Sequence, residues 1–179
     1  MIYLGREEDI QEVTLPFQRK SRHTFFSAKI LFLSYPTNPT GAVATKQFFE
    51  QAVAFAKKHN LILVHDFAYA EIYFEGKKPI SIFEIPGAKD VAIEFHTLSK
   101  TFSMAGWRIG FVIGNSQLVQ SIRKMKTNLD YGLFTAVQRA GIAAMNMDKK
   151  YLDERRLIYE GRRNVFLDRI AKLGWKIIK

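Results

Sequence analysis

Seven residues whose types can do chemistry fall at three points of the chain. They are Asn38 in SYPTNPTG, Asp66 and Tyr69 in VHDFAYAEIYF, and Thr97, Ser99 and Lys100 in FHTLSK, with Arg108 eight residues beyond the lysine. Between them they supply a primary amine able to attack a carbonyl, a carboxylate, a carboxamide, hydroxyls, and a guanidinium whose fork suits bidentate contact with an anion. Singly, each has a plainer explanation. A lysine is most often a surface charge, Asp66 can cap a turn, Asn38 can serve the bend that NPTG demands, and Arg108 can make a surface ion pair. Together, at neighbouring strand ends, they exceed what turn chemistry explains.

The elements that must position them can be read from the pattern. AKILFLSY, Ala28 to Tyr35, is a short β-prone run stopped by the two prolines and the glycine of PTNPTG. Thr45 can cap a helix carrying Phe48, Ala52, Phe55 and Ala56 on one face, with Asn60 as its stop. LILVHD is nearly all apolar, as suits a strand covered on both faces. VAIEFH makes a third strand with TLSK at its carboxyl end, and RIGFVIG a fourth. From Ser116 the spacing turns helical: Leu118, Ile122 and Met125, then Leu157, Ile158, Phe166, Ile170 and Leu173, with Gly174 as a terminator. Residues 1 to 28 have no clean period and are expected to be irregular, with one short strand; WKII after Gly174 is expected to begin another.

Strands alternating with helices imply an α/β fold: a mainly parallel sheet, flanking helices and right-handed crossovers, with ligands beyond the carboxyl ends of the strands. The start carries no glycine-rich phosphate loop. We expect one incomplete large domain over 1–147, and over 148–179 a helix and first strand leading into a second, smaller domain.

SYPTNPTG, VHDFAYAEIYF and FHTLSKTFSMAGWRIGFVIGN, in this order and at this spacing, resemble the signature segments of class I and II aminotransferases of fold type I. The resemblance runs from about Lys29 to the end, and NLDYGLFTAVQRAGIAAM is similar to the segment after the lysine loop in the alanine, aspartate and LL-diaminopimelate branch. It implies pyridoxal 5'-phosphate as cofactor, held as a Schiff base on Lys100, and amino-group exchange between an amino acid and a 2-oxo acid such as 2-oxoglutarate.

The same resemblance implies roles. Lys100 would form the imine and then shuttle a proton, Asp66 would keep the pyridine nitrogen protonated, and Tyr69 and Asn38 would lie beside the ring's phenolate oxygen. Arg108, Thr97 and Ser99 would hold the phosphate. Thr97 stands where a serine is more frequent, which retains the hydroxyl. Further phosphate donors, the ring-stacking aromatic and the substrate-carboxylate arginine would lie outside this sequence, so a central fragment lacking both ends is expected, weak or inactive alone. The rival reading is a non-catalytic remnant or interaction module of the same fold. The family also implies a homodimer, with Tyr131 to Thr135 contributing to the neighbouring site.

Composition sets outer bounds. There is no cysteine, hence no disulfide framework and no thiolate nucleophile. A net charge of +10 raises the question of nucleic acid, but the basic residues are interspersed with acidic ones, as on a solvated helix face, and no recognition motif accompanies them. No apolar run suits a signal peptide or a membrane span, and a cytoplasmic location is the default. His65 and His96 without a ligand-spaced cluster give no reason to expect a metal. Trp107, Phe95, Phe102 and Phe111 are expected in the core.

Overall fold

The computed structural model describes residues 2–4 and 28–175. A five-stranded sheet runs in chain order: β1 (Ile2–Leu4), β2 (Ile30–Ser34), β3 (Ile62–Asp66), β4 (Ala92–Thr97) and β5 (Gly110–Gly114). β1 through β4 are parallel and β5 is antiparallel to β4, with Thr97 opposite Gly110. The reversal follows from the connection. Between β4 and β5 lie only a four-residue helix and a 3-10 turn, too little for the crossover that a parallel return requires. The mainly parallel α/β architecture thus holds, with an antiparallel edge.

Between β2 and β3 runs α1 (Lys46–Lys58), whose Thr45 hydroxyl accepts from the Phe48 amide at its start. Its buried face is Phe48, Phe49, Ala52, Val53 and Ala56, and it packs against Leu31, Leu33 and Leu63 of the sheet. Burying each of the large side chains is worth about 1.5–3 kcal/mol, so this layer dominates the stability of the described structure. Phe55, expected on the same face, packs at its margin.

Among the described residues the further α-helices are α2 (Leu98–Thr101), α3 (Ser116–Leu129), α4 (Thr135–Met145) and α5 (Lys149–Lys172). α5 starts at the Asp148 cap and ends just before Gly174, which takes a positive φ of 80°. A short strand does occur in the lead-in, at Ile2–Leu4, but residues 5–27 and, past Trp175, the expected strand WKII lie outside the described residues.

Two expectations need correcting. Phe95, Trp107 and Phe111 are exposed at 37%, 49% and 41%. β5 is the edge of the described sheet and no layer covers its outer reach; of the four, Phe102 packs in a buried cluster, beside Leu98, Met104 and Ala144. Nor is α5 simply a solvated basic helix. Arg155 is buried, and the Arg156 and Arg163 guanidinia lie 4.2 and 4.4 Å over the rings of Tyr73 and Phe74. Long basic side chains bury their stems on apolar surface and stack their heads on aromatic faces.

Candidate active site

The first strand end turns through Pro36 to Gly41, closed by Gly41 N–H donating to Thr37 O at 2.9 Å and Thr37 N–H donating to Ala42 O at 2.9 Å. This turn presents Asn38, whose Nδ2 donates to the Tyr69 hydroxyl at 3.3 Å. Tyr69 comes from the second strand end. There Phe67 N–H still pairs with Phe95 O at 2.9 Å, and Asp66 Oδ1 accepts from Ala68 N–H at 3.2 Å, fixing the half-buried carboxylate where β3 stops. Lys100 Nζ lies 5.7 Å from the Tyr69 ring centroid. Three strand ends, distant in sequence, therefore meet through Asn38, Tyr69 and Lys100.

Thr97 is the residue before α2, and its Oγ1 accepts from Ser99 N–H at 3.1 Å. Capping by a threonine oxygen satisfies one of the free amides of a helix start. The turn of helix is pinned from below by Leu98, 2% exposed, and from the side by Gly141 of α4; a Cβ on Gly141 would stand 2.5 Å from Ile109 Cδ1. From α5, Arg155 donates through NH1 to the Lys100 carbonyl. Lys100 itself is exposed, and among the described residues its amine makes no ion pair.

Arg108 takes a left-handed conformation, φ 51°, and its guanidinium donates to the Ala105 carbonyl at 2.9 Å. None of its hydrogen bonds reaches Thr97, Ser99 or Lys100. Of the seven residues, Asn38, Tyr69 and Lys100 are in one contact group, Thr97 and Ser99 in a second, Asp66 stands at the end of β3, and Arg108 is folded back on its own turn.

Behind this constellation lies a buried charged cluster. Glu94 of β4, 1% exposed, faces His65 of β3, 0% exposed, with Oε2 2.9 Å from Nδ1. Its Oε1 lies 2.8 Å from His96 Nε2, and the carboxylate also accepts from the Ser81 hydroxyl at 2.9 Å and from Ile82 N–H at 2.8 Å. The other ring nitrogen of His65, Nε2, is 3.0 Å from the Tyr35 carbonyl. Burial by itself would raise the Glu94 carboxyl; the hydrogen bonds and charge of His65, the hydrogen bond from His96 and the Ile82 amide outweigh it and hold the pKa at about 2. No sequence motif pointed to Glu94. The available signal was one acid in the otherwise apolar VAIEF, which needs a buried partner.

A family model described as aminotransferase class I and II matches residues 15–179, and the chain belongs to that family, whose members depend on pyridoxal phosphate. Among curated relatives, it is 50% identical over 150 residues to LL-diaminopimelate aminotransferase 2 of Trichormus variabilis, covering 84% of this chain and 38% of the relative. It is 53% identical over 147 residues to an LL-diaminopimelate aminotransferase of Maridesulfovibrio salexigens, covering 82% of this chain and 38% of that one. Among solved structures, apo BacF from Bacillus subtilis superposes with a TM-score of 0.85 at 41% identity, over 91% of this chain and 42% of that chain. The chain thus spans about two fifths of the length of the relatives it matches.

Proposed function

We propose that this chain carries the cofactor-binding part of a pyridoxal-phosphate-dependent aminotransferase that exchanges an amino group between an amino acid and a 2-oxo acid such as 2-oxoglutarate. The observation that carries the reading is the meeting of Asn38, Tyr69 and Lys100 from three separate strand ends. The relatives' names favour an LL-diaminopimelate-type donor over alanine or aspartate.

The side chains suit the cofactor. Pyridoxal phosphate supplies an electron-accepting ring that eases proton removal from the α-carbon of a bound amino acid. The Lys100 amine, exposed and outside any ion pair among the described residues, is the point of covalent attachment and, once displaced, the proton carrier at Nζ. Asp66 keeps one carboxylate oxygen on the Ala68 amide and offers the charge that a protonated pyridine nitrogen needs. The Tyr69 hydroxyl, already an acceptor for Asn38, can still donate to a ring oxygen. Ser99, Thr97 and Arg108 form the anion-holding side; the Ala105 carbonyl takes a hydrogen bond from NH1 and leaves the guanidinium's other N–H donors for the anion.

By the same reasoning, residues 1–147 belong to the large domain and 148–179 lead into the small one. The working unit is a homodimer to which the fully exposed Tyr131 and the following residues up to Thr135 contribute. Borohydride reduction in the presence of cofactor, followed by peptide mapping, tests the assignment. We expect the label on the Lys100 peptide and none on Lys100→Ala; a label elsewhere, or none, overturns it.

A further inference from the structure

Each of the three strand ends that carry the proposed site is linked, one to three residues upstream, to a single buried carboxylate, two directly and one through His65. His65 precedes Asp66, His96 precedes Thr97, and Tyr35, whose carbonyl meets His65 Nε2 at 3.0 Å, stands three residues before Asn38. His65 and His96 both converge on Glu94, at 2.9 and 2.8 Å. The His65 ring is itself immobilised, with Phe67 stacked at 4.9 Å and Phe49 tilted against it at 5.0 Å, while His96 stacks on Phe111 at 4.8 Å with an interplanar angle of 7°.

Backbone pairing alone already aligns β2, β3 and β4. The side-chain cluster is more than a core needs, since apolar packing of similar volume is often as stable as a buried ion pair. What a hydrogen-bonded charged cluster adds is direction: it accepts one arrangement of its members and penalises the others.

We propose that Glu94, acting through His65 and His96, is a positioning residue for the cofactor site: a bracket beneath the sheet that sets Asn38, Asp66 and Thr97 at one mutual spacing. The inference rests on the proposed function, because it assigns the bracket's purpose to the group those residues would hold. His65 and Glu94 stand directly opposite each other on β3 and β4, so a small shift between these two strands breaks the bond that joins them.

The test compares cofactor binding with stability in the full chain. The affinity for pyridoxal phosphate, and the pH midpoint of the visible band of the lysine-bound cofactor, are measured for wild type, Glu94→Gln, His96→Phe, His96→Gln and Val53→Ala. Val53 is buried in α1 away from the bracket, so its truncation reports on stability alone. We expect Glu94→Gln to weaken cofactor binding about tenfold or more, as loss of a group that orients a ligand's direct contacts commonly does, and to move the band's midpoint. His96→Phe, which keeps the ring stack and loses the donor, weakens it less, and His96→Gln, which restores a donor at that position, recovers most of the loss. Val53→Ala lowers the melting temperature with cofactor affinity unchanged. If Glu94→Gln does not fold, the His96 pair decides. Wild-type cofactor affinity and an unmoved band in Glu94→Gln, or in both His96 variants, overturn the inference alone. Failure of the wild-type chain to bind cofactor overturns the functional reading and the bracket with it.

Discussion

Two regions of the molecule use the same kinds of residue to different ends. From β2 to β4, α1 closes over the sheet and core side chains such as Leu33, Phe49, Leu63 and Ile82 are 0–1% exposed. From α3 to α5 the apolar side chains stand open instead: Met125 is 64% exposed, Leu129 76%, Phe134 74%, Leu157 67% and Phe166 56%, and the only buried residue of α5 is Arg155. Helical spacing of apolar residues says that a face exists. It does not say what the face meets. In the first region the partner is the sheet; in the second, none of the described residues covers these faces.

The contrast can be broken by measurement. The largest effect belongs to Leu63→Ala, which empties a fully buried site in β3 and should reduce unfolding free energy by about 3–4 kcal/mol, read by chemical denaturation. A loss below about 1 kcal/mol would mean that the first region is loosely packed after all. Acid comes next. The folded pKa of Glu94 is depressed, from 4.5 to about 2, so its contribution is fully present above about pH 4.5 and is lost as the pH falls through about 2. The magnitude is on the order of 3 kcal/mol for wild type, and Glu94→Gln should flatten that part of the stability profile. An unchanged acid limb in the variant would show that the cluster is not the source. Smallest is Leu157→Ala on the open face of α5, where less than about 0.5 kcal/mol is expected in the monomer. A much larger loss that grows with protein concentration would reveal a second copy seated on that face.

How far the sequence carried differs between these regions for the same reason. β2, β3, β4 and α1 were readable because apolar runs stopped by Pro, Gly and Asn are local signals, and Thr45 does cap α1 as its position suggested. The grouping of Asn38, Tyr69 and Lys100 followed from motifs at strand ends. The antiparallel turn of β5 was not stated by any periodicity; it depends on the length of what joins it to β4. Glu94 was passed over because its partners, His65 and His96, come from different elements or from a neighbour on the same strand, and such pairing is visible only once the strands are side by side. Arg155 was taken for one more solvated base because its target is a backbone carbonyl of Lys100, which no side-chain pattern encodes. The exposure of Phe111 is not legible in the sequence because aromatic content cannot tell a central strand from an edge, and that of Phe95, on the central β4, because it does not say whether a layer covers that face of the sheet.

The bond from Arg155 to the Lys100 carbonyl has a mechanical meaning. A rod as long as α5, gripped near its start by that carbonyl and the ring of Tyr73 and two turns farther along by the ring of Phe74, acts as a lever with its fulcrum at the lysine peptide. Sliding or tilting the rod must either snap this link or drag the peptide along. A displacement of α5 is therefore felt at the backbone of Lys100 as well as at the rings of Tyr73 and Phe74.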